Sequence, residues 1–369
     1  IREGRGKNLF EISKESSEAL CAKIAIFPKE HCHKIQGNIY TVVERISKQA
    51  KIDDIMIPLI VFKGNEDELA GIFQKLNQEG VKLSKYDVFA ATWINHTVTI
   101  ENDPHFINYI INKYEAAQME SNLEIADYDP DVMRKTGVLT VFEYAFAVGK
   151  ALMDGCPKLF PKKDDAKVDS IGFLILAEIM GLTYQNMGKL ATTLDEYKGV
   201  DFKDLKDDIV DAAKLVESAL VPYIDAPTKG KGKKTSLVCH SELQLASYII
   251  VIFKLKYELS KTDGISVKSK YSRDVNLVKQ HLYKHYLFDI ISGYWAGSGD
   301  SKLEAIISDP QTCRYTRDVD KGSFENAINN WLELSMSKTS SANVAADTKL
   351  FLNYLLRLSV HDVDKIEYD

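Results

Sequence analysis

The feature that most narrows the fold is a succession of apolar residues at helical spacing, beginning near Val138 and continuing toward the end of the chain. Phe202, Leu205, Ile209, Ala212, Val216 and Ala219 recur at three- and four-residue steps, the stripe of an amphipathic helix. The longest apolar stretches, 171–180 and 245–253, fall well short of the ~20 residues a bilayer span requires. They read as buried helices, apolar nearly all round because protein meets them on every side. Further helical patterns cover 39–50, 106–120, 138–153, 242–260, 274–292, 301–308, 324–336 and 348–358. Residues 10–12 and 22–27 suit short strands or helix ends. The expected fold class is mainly α: multi-helix domains with a small α/β element near the N-terminus.

That α/β element is read from residues 55–93. Ile55 to Phe62 is a short apolar run with β-branched residues and a turn signal after it, hence a strand, with Pro58 at its start or on an edge. Leu69, Ile72, Phe73 and Leu76 then fall on one helical face, with Glu66, Asp67 and Glu68 in the first turn. Gly80 suits a left-handed cap, and Ser84 with Asp87 opens another helix whose stripe is Tyr86, Phe89, Ala90 and Trp93. As a plain helical corner this leaves Asn77 the least explained residue.

The segment Ile72-Phe73-x-x-Leu76-Asn77-x-x-Gly80-x-x-Leu83-Ser84 resembles the N-terminal region of GmrSD-type modification-dependent restriction endonucleases. A second segment, Tyr294-Trp295-x-Gly297-Ser298-Gly299-Asp300-x-Lys302, is similar to one that such proteins carry ahead of their nuclease part. Taken from its residues alone, this glycine-rich segment allows two readings. Its amides could converge on an anion at the start of the next helix, or it could be a tight helix–helix connection. It is not a Walker A loop, because no Gly-Lys-Ser/Thr closes it.

Metal readings are weaker. His31 and His33 flank Cys32 without further ligands at useful spacing. His281 and His285 stand at i and i+4, but Leu282 replaces the glutamate of a His-Glu-x-x-His motif, so packing is the expected role. Asp127, Asp129 and Asp131 do not continue as a calcium loop, since Val132 and Val138 occupy its glycine and glutamate positions. An acidic turn before a helix accounts for them.

Net charge is −6 and 27% of residues are charged, so nucleic-acid contact would need a local basic patch. The 5 cysteines form no Cys-x-x-Cys pair, which suits free thiols in a reducing, cytoplasmic setting. No N-terminal stretch has the pattern of a signal peptide. The expected division is a remnant of an α/β domain at 1–100, a helical domain at 101–225, a basic linker or loop at 226–239, and a helical domain at 240–369.

The resemblance implies the central portion of a nucleotide-regulated DNA restriction protein of anti-phage defence. Two hallmarks of similar proteins, an Asp-Gly-Gln-Gln-Arg motif and a His-Asn-His nuclease signature, do not occur here, and both are expected outside the two ends. Cleavage would belong to that missing module. Nucleoside triphosphate and Mg would serve the intact protein, with no cofactor evident in this chain. The implied partner is DNA, modified or foreign, with no membrane and with room for a homo-oligomer. Asn77, Gly80 and Ser84 would shape a nucleotide-side pocket; Gly297, Gly299, Lys302, Arg314 and Arg317 would meet phosphate or DNA. No catalytic or metal residue is assigned. The alternative is a non-catalytic helical scaffold for protein interaction, which the negative charge and the missing motifs favour.

Overall fold

The computed structural model describes residues 9–23, 31–50, 85–121, 128–161, 165–227, 234–337 and 346–359. The chain divides into two compact units, Ile1–Lys63 and Gly64–Asp369. In the first, α1 (Leu9–Lys23) packs against α2 (Cys32–Ala50). The short stretch 10–12 is therefore helix rather than strand.

The second unit begins, among the described residues, with α3 (Lys85–Thr92), β1 (Thr97–Thr99), α4 (Pro104–Ser121), α5 (Pro130–Thr136) and β2 (Val138–Thr140). The helices α6 (Val141–Gly155), α7 (Asp165–Ile179), α8 (Leu190–Leu194) and α9 (Phe202–Ile224) follow. Next come β3 (Asp225–Pro227), β4 (Lys234–Ser236), α10 (Glu242–Lys256), β5 (Tyr257–Ser260) and β6 (Gly264–Val267). The chain continues as α11 (Tyr271–Ile291), α12 (Gly299–Ile307), α13 (Lys321–Ser337) and α14 (Ala346–Ser359). The fold is mainly α. Its described strands form antiparallel pairs only: β1 with β2, β3 with β4, and β5 with β6.

Helix ends follow local chemistry. Thr140 closes a capping box with Glu143, each side chain taking the other's backbone N–H. Val138 to Thr140 is thereby left outside the helix and pairs with Thr97 to Thr99 instead. Asp129 caps α5 through the amides of Asp131 and Val132, with Pro130 at the first helical position. Of the acidic turn expected before this helix, Asp129 is thus the cap, while Asp127 lies outside the described residues. The helix expected over 242–260 stops at Lys256, because the chain continues as a hairpin turned by Gly264 at φ +79°.

The centre is α10, whose residues from Gln244 to Phe253 are all buried. Helices α7, α9, α11 and α12 surround it. Next to them α6 and α7 approach unusually closely. A Cβ on Gly149 would lie 2.3 Å from the Val168 carbonyl oxygen, and one on Gly172 would lie 2.2 Å from that of Ala145. Only glycine lets these backbones touch. Burial of each large apolar side chain here contributes about 1.5–3 kcal/mol.

Helix α3 anchors to this core by its rings. Phe89 stacks on Trp93 at 4.5 Å, and Trp93 meets Phe173 of α7 at 5.8 Å. Phe89 and Trp93 are buried and Tyr86 half-buried, as the expected stripe has them, whereas Ala90 is exposed and Val88 is buried instead. Trp93 lies beyond the last helical residue, so the helical period does not carry through to it. The strand expected at 55–62, the helix after it, and Asn77, Gly80 and Ser84 lie outside the described residues.

The expected boundaries at 100 and 226–239 separate no cores. Buried residues from Phe89 to Phe351 form one apolar cluster, and α9 packs directly on α10 across the basic segment. The flanks of that segment pair as β3 and β4, with Asp225 opposite Ser236. No described helix is long and apolar enough to cross a membrane.

Candidate functional site

The glycine-rich segment connects α11 to α12. It opens at Gly293, with φ +62°, and bends again at Gly297, also +62°, and at Ser298, +46°. Tyr294 N–H donates to the Asp289 carbonyl, returning the chain against α11. Gly299 lies close against α10: a Cβ there would stand 2.5 Å from Leu243 Cδ1.

Lys302 reaches back from α12 into this turn. Its Nζ donates to the carbonyls of Tyr294 at 2.5 Å, Gly297 at 3.0 Å and Ala296 at 3.1 Å. Three donors meet three carbonyls, the full complement of an ammonium group. Toward Lys302, then, the turn presents carbonyl oxygens, the arrangement that holds a cation.

Beneath the turn lies Asp289 of α11, its side chain 0% exposed. Arg314 Nη2 stands 2.7 Å from its Oδ1. On the other oxygen, Trp295 Nε1 donates at 2.9 Å and the Tyr248 hydroxyl at 3.4 Å. Burial pushes the Asp289 carboxyl up to about 6, against the pull of Arg314, Trp295 and Tyr248 toward ionisation. The guanidinium lies 4.0 Å from the centre of the Tyr294 ring, a cation–π contact. Ser247 and Tyr315 share a buried hydrogen bond of 2.7 Å alongside.

His285, one turn from Asp289, is buried, and its Nε2–H donates to the Arg317 carbonyl at 2.8 Å. Burial pushes this imidazole down to about 4, and the neighbouring Arg314 charge adds to that, while the carbonyl bond opposes it. It is therefore neutral, and its role is to hold the backbone. The Arg317 side chain is exposed. Among the described residues no group of three His, Cys, Asp or Glu is arranged to hold a metal ion.

Of the expected phosphate-contacting set, Gly297, Gly299, Lys302, Arg314 and Arg317 thus gather around the foot of α11. Lys302 and Arg314 have their charge engaged within the fold, the two glycines supply backbone shape, and Arg317 presents its side chain to solvent. Comparison with family models, with curated proteins and with solved structures found no match.

A cavity of about 280 Å³ opens between α4, α6 and α9, lined among others by Asp103, His105, Phe106, Tyr109, Asp154 and Lys206. Lys206 is buried and bonds Asp103 at 2.7 Å and Asp207 at 2.5 Å, so its ammonium is neutralised in place. Tyr109 donates to Asp154 at 3.0 Å, and its phenol is raised well above the usual range, first by burial and then by that carboxylate. This arrangement can bind a polar group but brings no described Ser or Cys nucleophile to the wall. Sequence periodicity places Asp207, Asp208 and Asp211 on a solvated face of α9. In the structure Asp207 and Asp211 do reach solvent, and Asp211 in addition ties α9 to Lys256 at 2.6 Å and to the Tyr257 hydroxyl at 2.9 Å. A lysine at 206 beside that acidic row was the available signal.

Proposed function

We propose that this chain is the helical scaffold of a modification-dependent DNA restriction protein of the GmrSD type, contributing DNA contact and architecture while cleavage lies in another module. The reading rests on the resemblance of residues 72–84 and 294–302 to such proteins. What supports it is the tight interdependence of the second segment. Trp295 bonds the buried Asp289, Gly297 supplies a left-handed bend, Gly299 clears Leu243, and Lys302 gathers three carbonyls. Each characteristic residue of the segment thus has its own structural task. The exposure of Arg317, whose charge is left to solvent, supports assigning it the phosphate contact. In the intact protein a nucleoside triphosphate with Mg would act on the side of Asn77, Gly80 and Ser84.

The purified chain should be mixed with labelled duplexes, with and without modified bases, in the presence of magnesium and nucleoside triphosphate. The expected result is salt-sensitive binding without strand cleavage. Cleavage by this chain, or no binding to any duplex at low salt, contradicts the proposal. The second reading, a protein-interaction scaffold without DNA contact, is favoured by the engagement of Lys302 and Arg314 inside the fold. It gains if binding is absent throughout.

A further inference from the structure

Away from the glycine turn, three helices of the second unit each turn one face toward the cavity of about 280 Å³. Phe106 and Tyr109 of α4, Ala151 and Asp154 of α6, and Lys206 and Val210 of α9 line it at the three- and four-residue spacing of helical faces. A Cβ on Gly155 would stand 2.9 Å from Val210 Cγ1, so α6 and α9 meet closely at that side. The space suits a molecule of roughly ten heavy atoms, at the small end of ligand pockets.

The lining sets the charge of what can enter. Asp103, Asp154 and Asp207 bring carboxylates, and Lys206 is the lysine among the lining residues. Its Nζ donates to Asp103 at 2.7 Å and to Asp207 at 2.5 Å, and Lys203 also binds Asp207, at 2.8 Å. An entering anion would be repelled by the carboxylates, while the lysine that could attract it is engaged by two of them. The wall also shows how it receives a cation. The Lys206 ammonium lies between two carboxylates and 5.4 Å from the centre of the Phe106 ring. Tyr109 repeats those parts. Its ring meets Phe106 edge-on at 6.3 Å and His105 at 5.1 Å, and its hydroxyl donates to Asp154 at 3.0 Å. A carboxylate accepts about four hydrogen bonds, so Asp154 can take a further donor beside those it holds.

We propose that this cavity binds a small organic cation, a primary ammonium on a short aromatic or apolar stem. The ammonium rests against the Asp154 carboxylate and the Tyr109 ring, and the stem fills the space beside Ala151 and Val210. Asp154 and His105 are exposed, so the head group reaches its place from solvent. A neutral alcohol of the same shape keeps the stem contacts and loses the charge pairing. The matching carboxylic acid adds repulsion. The site uses no residue of the glycine turn and stands whether or not the chain contacts DNA.

The test uses the full chain and three probes of one shape, phenethylamine, phenethyl alcohol and phenylacetate, titrated by saturation-transfer NMR at neutral pH. The amine should bind saturably with a Kd of about 1 mM, the strength open to roughly nine heavy atoms. It should bind at least ~10-fold more tightly than the alcohol, with the acid weaker still. Asp154→Asn keeps the shape and removes the charge. It should weaken the amine at least ~5-fold and leave the alcohol unchanged. Ala151→Phe, which fills the cavity, should abolish binding of the amine and the alcohol. If Ala151→Phe lowers the urea midpoint, the ranking of the three probes and Asp154→Asn decide the matter without it. Equal affinity for the amine and either of its analogues overturns the proposal, as does an amine affinity unchanged in Asp154→Asn. No saturation by the amine up to ~20 mM also overturns it.

Discussion

Asp289 and Arg314 meet at 2.7 Å beneath the glycine turn, with the carboxylate side chain wholly buried and the guanidinium four-fifths so. Two charges taken from water are held together by their mutual attraction, while the Trp295 indole N–H donates to the other carboxylate oxygen. Removing one partner leaves the other uncompensated. Arg314→Ala should cost about 3–5 kcal/mol in urea unfolding at neutral pH. Asp289→Asn combined with Arg314→Met, which removes both charges, should recover most of that loss. A single-variant cost below ~1 kcal/mol would mean the pair contributes little to folding.

The same pair fixes a sign for pH dependence. The Asp289 carboxyl is raised to about 6 in the folded state, so the folded chain binds more protons than the unfolded one. Its contribution is greatest below the ordinary carboxylate range and declines as pH rises toward 6. In Arg314→Ala the decline should be steeper and extend to higher pH. Urea midpoints across this window measure it.

Glu178 of α7 offers a second case. It is buried, and its carboxyl is pushed up to about 7, chiefly by burial, with Lys254 opposing and Glu304 and Asp300 adding to the rise. The sign is again that stability is lost as pH climbs from the ordinary carboxylate value through 7. Glu178→Gln should therefore stabilise the protein by roughly 1–3 kcal/mol at pH 8 and change little at pH 5. Destabilisation at pH 8 would show that attraction to Lys254 outweighs the burial cost.

Glycines at two places should respond differently. Gly172→Ala puts a methyl 2.2 Å from the Ala145 carbonyl oxygen, a backbone atom that cannot step aside. A loss above ~2 kcal/mol in thermal or urea unfolding is expected. Gly299→Ala meets only the Leu243 Cδ1 methyl, which can rotate, and alanine favours the helix it begins. Its effect should stay within ~1 kcal/mol. Equal losses would contradict the close α6–α7 contact.

The helical architecture was legible because apolar spacing reports directly on burial. The stripe from Leu205 to Val216 and the all-apolar run around Ile249 both became core, and helix edges failed where a cap or hairpin intervened, as at Thr140 and Gly264. Domain division was not legible. A basic, proline- and glycine-bearing stretch reads as a linker, yet α9 and α10 on its two sides share one core. The glycine segment was legible as a special turn, while its partner was hidden: nothing local connects Lys302 to the carbonyl of Tyr294, or Arg314 to Asp289. Side-chain charge in a sequence does not say whether the charge faces solvent or a buried acceptor.

Around the foot of α11, Lys302 braces the turn and Arg317 is exposed; the proposed function assigns the DNA contact to Arg317. The direct measurement is duplex DNA affinity against salt concentration for the wild type, Lys302→Ala and Arg317→Ala, each with its urea midpoint. Arg317→Ala should keep the wild-type midpoint, bind more weakly, and lower the log–log salt slope by about 0.9, the release associated with one phosphate contact. Lys302→Ala should lose stability through its three freed carbonyls. If Lys302→Ala keeps full stability and loses DNA affinity while Arg317→Ala binds like the wild type, that assignment is wrong.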